Sequence, residues 1–415
     1  MSRAWAPPTR VIDSPAAVRR INRAHVLRII QLDGPMTRPA VVRASGLSKA
    51  TVRQVCDGLI AEGLVAEEVP ETGADRGPGR PAASLRFQGA KGQVLGIDIG
   101  ADNVLVLVAD LGGQVLENHR VTVGAAGRPS RDDLLRVVTT AVGDALAGAG
   151  VERSTVRMAA VGTPGVVAPD TGVVRLAPQI AGWEGTRLAA ELEERLGITI
   201  RVESEVQLAV VGERWRGAAN DLDDAIYLQL GIGIAAGSLV NGELHRGAAG
   251  GAGEIGYLPV RGASAPPHGV GAFEWSAGGH AFAREGQAAA RRPDGARLLE
   301  LAGGVVEAVN AELVFAAARE HDPTAQAIVL EMTERLAYGV AALACVLNPA
   351  VVVVGGGLSN AGADLLTPLQ RSVDRMVPLP PRLVLSALSD QAVALGALRM
   401  ALEATHQELD LLIDQ

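Results

Sequence analysis

Apolar residues recur along the chain with two different spacings, which separate two regions. Before residue 92 the apolar positions follow a helical period, as in Val52, Val55, Leu59 and Ile60. After residue 92, short apolar runs that end in glycine-rich turns alternate with helical segments. The pattern predicts a small helical region, followed by an α/β body of two lobes with a ligand cleft.

The first region is predicted to contain a helix-turn-helix, because three short helices occur with a glycine-containing turn between the last two. A residue that can cap a helix precedes each of them. The segments are a helix from Asn22 to Leu32, a helix Arg38–Ala44 capped by Thr37, the turn Ser45-Gly46-Leu47, and a helix from Ser48 to Gly63. The next two segments, Leu64–Pro70 and Ala83–Phe87, are predicted to pair as a wing.

The third helix offers polar side chains near its N-terminal end, where recognition helices contact bases and phosphates. We predict a DNA-contact set of Thr37, Ser48, Lys49, Thr51, Arg53 and Gln54. In the wing, Arg76-Gly77-Pro78-Gly79-Arg80-Pro81 is similar to an AT-hook core, in which arginine enters a narrow minor groove. A solvated wing tip is the alternative for Arg76 and Arg80, and a small helical interaction domain is the alternative for the whole unit.

Net charge differs between the two regions. Residues 1–91 carry 14 Lys+Arg and 8 Asp+Glu, a net charge of +6, whereas the remaining residues carry 24 and 38, a net charge of −14. A basic end on an acidic body favours nucleic acid as the partner of the first region. We therefore divide the 415 residues into a flexible N-terminal arm (1–20), a winged helix-turn-helix DNA-binding domain (21–91) and the α/β body (92–415).

The sequence favours a reduced, cytoplasmic protein. No apolar run follows Met1, and Asn348-Pro349 interrupts the apolar stretch Leu336–Val354, which predicts a helix followed by a buried strand. Cys56 and Cys345 lie far apart in the sequence and are predicted to lie on apolar helical faces. This pattern indicates neither a disulfide framework nor a cysteine-based metal site.

A glycine-rich hairpin is a candidate ligand site in the body. The strands Ala225–Leu230 and Ile234–Val240 flank Gly231-Ile232-Gly233, and Asn241-Gly242 predicts a two-residue turn. Glycines at 231, 233 and 237 would let the backbone approach an anion, although a purely structural turn is the alternative. The glycine cluster that follows leads into the carboxylate of Glu254.

Eight short motifs follow one another in the body between residues 92 and 402. They are Asp98-Ile99-Gly100, Gly162-Thr163-Pro164-Gly165, Gly182-Trp183, Val202-Glu203, Gly231-Ile232-Gly233, Ala252-Gly253-Glu254-Ile255-Gly256, Leu347-Asn348-Pro349 and Gly355-Gly356-Gly357-Leu358-Ser359. This series resembles the ROK family (repressor, open reading frame, kinase), and the winged helix-turn-helix resembles that of the family's regulators, such as its xylose and N-acetylglucosamine repressors.

The resemblance implies an actin-like, sugar-kinase-type ATPase fold of two lobes with a sugar in the cleft. It also implies a regulator that binds double-stranded operator DNA as a homodimer or homotetramer. Such regulators respond to a sugar or sugar phosphate.

Several positions depart from the pattern of the family's kinases. After Asp98-Ile99-Gly100 the kinases have a glycine and a threonine that contact nucleotide phosphate, whereas Asp102 stands here, and its charge opposes phosphate. Ser204-Glu205 replaces the catalytic Asn-Asp pair, which shifts the carboxylate at the base position by about 1 Å. We therefore expect no catalytic residue, no ATP, and degenerate phosphate loops at Asp98, Gly100, Gly231 and Gly233.

The family's zinc site is predicted to be absent as well. Tyr257 stands where a sugar-binding and zinc-binding histidine is usual, and no cysteine occurs from Tyr257 to Phe273. His268 alone cannot hold a tetrahedral zinc ion. We expect no metal cofactor.

The resemblance still assigns a sugar site to the cleft. Glu254 matches the glutamate of the family's Glu-x-Gly-His motif, and Glu274 matches the glutamate that closes the zinc loop. Carboxylates accept hydrogen bonds from vicinal hydroxyls. We predict a sugar-binding set of Ser204, Glu205, Glu254, Tyr257 and Glu274, although a solvated surface carboxylate is the alternative for each glutamate.

Three functions follow from these patterns. The first is a DNA-binding transcriptional regulator of carbohydrate metabolism, a repressor that responds to a sugar and has no kinase activity. The second is an active ATP-dependent sugar kinase with a regulatory DNA-binding domain. The third is a regulator that responds to a partner protein or a non-sugar metabolite. The basic first region and the altered phosphate positions favour the first function.

Overall fold

A computed structural model gives the structure of the chain over residues 15–33, 35–68, 83–89, 92–100, 102–123, 130–231, 233–260 and 265–411. Within these ranges no helix is long and apolar enough to cross a membrane. The apolar stretch Leu336–Val354 forms the end of one helix and then a buried strand, as predicted. The prediction for Arg76 and Arg80 lies outside the described residues, as does that for residues 1–14.

The first region is a winged helix-turn-helix. Its elements are α1 (Pro15–Asp33), β1 (Met36–Thr37), α2 (Arg38–Ser45), α3 (Lys49–Ala61), β2 (Val65–Glu68) and β3 (Ser84–Phe87). The predicted pairing of β2 with β3 is confirmed, and β1 adds a third strand against β3 that the sequence did not predict. Apolar residues of all three helices and of β3 form one core, which includes Val26, Val41, Val52, Leu59 and Leu85.

Helix α1 begins at Pro15 and not at Asn22. The predicted arm over residues 1–20 is therefore wrong for its last six residues, which are helical. Proline is tolerated in the first turn of a helix, and the residues between Pro15 and Asn22 include no glycine or further proline that would end it.

The first lobe of the body is a five-stranded sheet with two helices. Its elements are β4 (Gln93–Ile99), β5 (Asn103–Asp110), β6 (Val115–Thr122), α4 (Arg131–Gly148), β7 (Val156–Thr163), β8 (Val166–Val167), β9 (Val174–Leu176), α5 (Leu188–Leu196) and β10 (Ile200–Ser204). The strand order is β10-β7-β4-β5-β6. Strands β4, β7 and β10 are parallel, and β5 and β6 are antiparallel neighbours.

The second lobe repeats this arrangement. Its elements are α6 (Glu205–Arg216), β11 (Ala225–Leu230), β12 (Ile234–Val240), β13 (Glu243–Leu244), α7 (Ala272–Ala277), α8 (Gly279–Ala290), α9 (Ala296–Leu301), α10 (Ala311–Arg319), α11 (Pro323–Leu347), β14 (Val351–Gly355), α12 (Ala363–Met376) and β15 (Arg382–Leu385). The last helix, α13 (Ala392–Leu411), packs in one core with strands of the first sheet. The order β13-β12-β11-β14-β15 has the topology of the first sheet. The predicted α/β fold with two lobes is confirmed.

Helices α6 and α13 pack between the two sheets with their backbones in contact. A Cβ atom on Gly212 would lie 2.2 Å from the carbonyl oxygen of Ala392, and one on Gly396 would lie 1.8 Å from that of Leu208. Gly237 likewise allows a close backbone contact, because a Cβ atom there would lie 1.9 Å from the carbonyl oxygen of Val206 in α6. The expectation that Gly237 lets the backbone approach a ligand is therefore wrong.

The predictions for the hairpin turn and for Cys56 are confirmed, whereas the prediction for Cys345 is not. Asn241 and Gly242 have φ values of 53° and 76°, which a two-residue turn of this kind requires. Cys56 is buried in the first region, whereas Cys345 is exposed. The prediction for Cys345 is wrong because this residue lies on the solvent side of α11, next to Val346, which is 81% exposed.

Candidate functional site

A cavity of about 1030 Å³ lies between the two lobes. The ends of β4 and β10, the turn between β11 and β12, and the loop after β14 border it. The structure brings both predicted sets of body residues to this cavity, where the lining includes Asp98, Gly100, Ser204, Glu205, Gly231, Gly233, Glu254, Tyr257 and Glu274.

Two carboxyl groups lie deep in the cavity. Asp98 is near the end of β4, and Glu205 is the first residue of α6. Burial raises the pKa of Asp98 to about 8, and the neighbouring Glu205 carboxylate adds to the shift. Burial raises the pKa of Glu205 to about 7, with a further contribution from Glu254. At neutral pH much of this pair is protonated, so it can donate as well as accept hydrogen bonds.

Glycines place Glu254 at the cavity wall. Gly253 has a φ of +92°, and a Cβ atom there would lie 1.8 Å from the carbonyl oxygen of Ala236 in β12. Burial, together with the Glu274 carboxylate, raises the pKa of Glu254. Glu274 lies in the first turn of α7 and accepts a hydrogen bond from the backbone N–H of Ile234 at 3.1 Å. Burial nevertheless raises the pKa of Glu274.

Ser204 and Tyr257 differ in how much of their hydrogen-bonding capacity is used. Ser204 precedes α6, yet its side chain makes no capping hydrogen bond. The Tyr257 hydroxyl donates to the carbonyl oxygen of Gly269 at 3.1 Å. Burial raises the pKa of Tyr257, with Glu254 and Glu274 contributing. Because Ser204 makes no capping hydrogen bond, its hydroxyl remains available to a ligand, unlike that of Tyr257.

The glycine loops lie together at one side of the cavity. The Gly231 N–H donates to the Gly233 carbonyl at 3.1 Å, and a Cβ atom on Gly231 would lie 3.6 Å from the backbone nitrogen of Gly357. Asp102 also lines the cavity, beside Gly100, and is exposed. A phosphate bound near these residues would meet the carboxylate of Asp102.

The sequence did not predict three further lining residues. Gln179 has a buried Oε1 atom with no hydrogen-bond partner in the described part of the chain. Arg120 of β6 forms an ion pair with Asp390 at 2.8 Å and donates to Asn103 at 3.3 Å. Gln179 belongs to no recognisable motif, and Arg120 and Asp390 come from distant parts of the sequence, so none of the three positions carries a signal of its own.

The described residues contain no group of three or more His, Cys, Asp or Glu side chains that could hold a metal ion. His268 is exposed at the rim of the second lobe. The absence of zinc stays a prediction.

Helix α3 presents polar side chains to solvent. Lys49, Arg53 and Gln54 are exposed, and the Arg53 side chain is 82% exposed. Ser48 accepts a hydrogen bond from the Thr51 backbone at 3.1 Å, and the two hydroxyl groups lie 2.8 Å apart. The predicted cap at Ser48 is therefore confirmed. Whether these side chains contact DNA stays a prediction.

A basic side chain that the sequence did not single out lies beside this helix. Thr37 has the N-cap position of α2 without a capping hydrogen bond, and Arg38 follows it. Arg38 pairs with Asp57 at 2.8 Å and with Glu67 at 3.2 Å, which holds its guanidinium next to α3. A depression of about 690 Å³ is lined by the basic side chains of Arg38, Arg43, Lys49 and Arg53 together with the carboxylates of Asp57 and Glu67.

Helix α13 connects the cavity to the winged helix-turn-helix. Val393, in the first turn of α13, lines the cavity. His406 lies about 13 residues, or about 20 Å, further along the helix. Its Nε2 atom is 3.1 Å from Nε2 of Gln31 in α1 and 3.2 Å from the carbonyl oxygen of Leu111. Its ring packs edge to face against Phe87 of β3, with centroids 6.1 Å apart.

Comparisons with known proteins agree with this architecture. A xylose repressor from Caldicellulosiruptor bescii is 26% identical, over 93% of this chain and 96% of its own length. The crystal structure of a ROK family transcriptional regulator, a homolog of the E. coli MLC protein, has a TM-score of 0.78 over 95% of this chain and 98% of its own. At 23% identity it shows a shared fold that includes the winged helix-turn-helix.

A second solved structure covers a smaller share of the chain. It is a ROK family glucokinase from Streptomyces griseus in complex with glucose and AMPPNP, 28% identical with a TM-score of 0.65, over 75% of this chain and 100% of its own. The similar proteins thus include a repressor and a kinase. Residues 94–404 match the ROK family, most of the body, and the chain therefore belongs to the ROK family.

Proposed function

We propose that the chain is a sugar-responsive transcriptional repressor of carbohydrate-metabolism genes. The observation that carries this proposal is the connection through α13, which has the cleft cavity at one end and the winged helix-turn-helix at the other. The similarity to a xylose repressor over 93% of this chain supports the same function.

The winged helix-turn-helix would bind operator DNA through the exposed face of α3. Lys49 and Arg53 supply positive charge for phosphates, and Arg53 and Gln54 suit the edges of guanine and adenine. A homodimer or homotetramer would present two such helices to a palindromic operator.

A sugar in the cleft would control DNA binding by changing the angle between the lobes. Helices α6 and α13 touch through backbone atoms at Gly212 and Gly396, so a movement of α6 would be transmitted to α13 at this contact. Glu205 starts α6 in the cavity, and His406 of α13 contacts Gln31 of the winged helix-turn-helix. A shift of the helix pair would therefore change the orientation of α3 relative to the body.

Phosphoryl transfer is the second candidate function, and one observation favours it. A carboxyl group with a pKa of about 7, as in Glu205, suits a general base at neutral pH. The nucleotide phosphates would nevertheless lie beside Asp102, and the Arg120 guanidinium nearby is already paired with Asp390. We therefore propose that the cleft is a sensor without kinase activity, ATP or zinc.

The test begins with selection of DNA sites from random duplexes by the intact protein, followed by fluorescence anisotropy with a selected site. We expect sequence-specific binding that changes when a sugar from a panel is added. Binding that is equally tight for unrelated duplexes would contradict the proposed function. Silence across the sugar panel, with specific DNA binding intact, would favour control by a partner protein or another metabolite.

A coupled assay for ADP release separates the regulator from the kinase. We expect no sugar-dependent release with the wild-type protein. Release that disappears in Glu205→Gln but persists in the exposed control Glu243→Gln would establish phosphoryl transfer instead.

A further inference from the structure

The charges around the cleft cavity are unbalanced. Among the described lining residues Arg120 is the only Lys or Arg, and it is paired with Asp390 at 2.8 Å. Five other carboxylates line the cavity without a cationic side chain of the described residues within ion-pair distance, namely Asp98, Asp102, Glu205, Glu254 and Glu274. A ligand that carries negative charge would be repelled by each of these groups that is ionised.

The side-chain atoms that remain unpaired in the cavity are mainly acceptors. Asp98, Glu205 and Glu254 accept no hydrogen bond from the described residues. The buried Oε1 atom of Gln179 is unpartnered in the same part of the chain. Ser204 is only 4% exposed, and its hydroxyl, which makes no capping hydrogen bond, can accept or donate.

Three of the side-chain donors that line the cavity are already occupied. The Tyr257 hydroxyl donates to Gly269, and the Tyr227 hydroxyl lies 3.2 Å from Oε1 of Gln229. The guanidinium of Arg120 is bonded to Asp390 and Asn103. Since buried oxygen atoms need partners, a ligand that brings donors of its own would satisfy the unpaired ones.

Four carboxyl groups form a coupled series. Glu205 raises the pKa of Asp98, Glu254 raises that of Glu205, and Glu274 raises that of Glu254. Burial is the largest cause of each of these three shifts. Buried carboxyl groups of like charge stay protonated unless a cation neutralises them. An ammonium group supplies one positive charge and three donors, whereas a phosphate group supplies negative charge and acceptors.

Resting on the proposed function, we infer that the effector of the cleft is an amino sugar with a free, protonated amine. Its hydroxyl groups and its ammonium group donate to the unpaired acceptors, and its positive charge compensates the carboxylate series. Sugar phosphates are rejected by the same carboxylates.

Titration calorimetry with the intact protein at pH 6.5 tests this inference. The probes are matched sets of glucose, mannose and galactose, each as the sugar, the 2-amino sugar and the 6-phosphate. In at least one set we expect the amine to bind about tenfold more tightly than the parent sugar, and the phosphate about tenfold more weakly. Because the ammonium group favours ionised carboxylates, its binding releases protons, which titrations in two buffers of different ionisation enthalpy measure.

Two variants locate the charge effect. Glu254→Gln removes one carboxylate of the series, and we expect it to weaken binding of the amine about tenfold more than binding of the parent sugar. Glu243→Gln makes the same change on β13, where the side chain is exposed and away from the cavity, and we expect wild-type affinities.

Three results would overturn the inference: a phosphate that binds as tightly as its parent sugar, an amine that binds no more tightly than the hydroxyl, or no binding across the panel. DNA binding of the same preparation is measured separately. Loss of specific DNA binding with the amine preference intact would contradict the proposed function alone.

Discussion

Replacing Asp98 by asparagine is expected to stabilise the protein more as the pH rises. Burial raises the pKa of Asp98 from 3.8 to about 8 in the folded state. The folded state therefore holds more protons at this position than the unfolded state between about pH 4 and pH 8. The stability that protonated Asp98 contributes is complete below about pH 4 and is lost as the pH rises to about 8.

The pKa shift of Asp98 sets the size of the expected change in the free energy of unfolding. Each pH unit between the two pKa values costs at most about 1.4 kcal/mol, so the limit from pH 5 to pH 8 is about 4 kcal/mol. The cavity is open to solvent, and Glu205 titrates together with Asp98, so we expect about one third of this limit. The difference between Asp98→Asn and the wild type should therefore grow by about 1–2 kcal/mol between pH 5 and pH 8.

Differential scanning calorimetry of both proteins at the two pH values measures this difference. For a domain of this size, 1–2 kcal/mol corresponds to about 2–4 °C in the melting temperature of the body. The matched control is Asp102→Asn, which makes the same chemical change at an exposed position of the same cavity. We expect its effect to be small and similar at both pH values.

A constant difference between Asp98→Asn and the wild type across this pH range would refute the reasoning. It would mean that Asp98 is ionised in the folded protein at pH 5, and that the cavity compensates its charge. An equal trend in Asp102→Asn would assign the effect to the net charge of the cleft and not to burial.

The remaining predictions concern DNA contact, coupling and packing. Arg53→Ala should weaken binding to a selected DNA site about 10- to 100-fold in anisotropy titrations. The control Arg371→Ala, on the exposed side of α12, should bind like the wild type. Equal affinity of the two variants would show that Arg53 does not contact the DNA. His406→Ala should keep its affinity for sugar but bind DNA with an affinity that no longer depends on sugar. The control Glu403→Ala, at an exposed position one turn earlier, should keep the effect of sugar on DNA affinity. An unchanged sugar effect in both variants would show that the contact between α13 and α1 does not couple the two sites. Gly237→Ala should lower the free energy of unfolding by about 2–3 kcal/mol in urea titrations, because its methyl group would lie 1.9 Å from a backbone carbonyl oxygen of α6. A variant as stable as the wild type would show that the strand can shift to make room for the methyl group.

Much of the fold could be predicted because local patterns determine its elements. The strands Ala225–Leu230 and Ile234–Val240 occur with the predicted bounds, since glycine-containing turns end the apolar runs after Leu230 and after Val240. The helix cap at Ser48 was predictable for the same reason, because a side chain three residues from its partner fixes it. The start of α1 was not, because Pro15 and Asn22 are both acceptable first residues and only the packed structure decides between them.

The candidate site was predicted in part. Glu205, Glu254 and Glu274 lie in motifs that mark the ends of strands and glycine loops, so their approach to one cavity followed from the fold. Arg120 lies in β6, whose side chains alternate between partly buried and exposed, and nothing near it in sequence distinguishes it from its neighbours. Its role depends on Asp390, which only the topology brings within 2.8 Å.

The unpaired carboxyl groups and the helix contacts address one energetic requirement. To convert a protein from about 1% to about 99% of one state, a ligand has to favour that state by about 5.5 kcal/mol. Buried carboxyl groups that lack partners are costly until a donor or a cation reaches them, so a ligand that pairs with Asp98, Glu205 and Glu254 gains most in the state that brings all three to it. Because Glu205 begins α6, and α6 touches α13 through backbone atoms, we expect ligand binding to shift α13 in this state. The same carboxyl groups that oppose phosphate can thus supply the energy that repositions the winged helix-turn-helix.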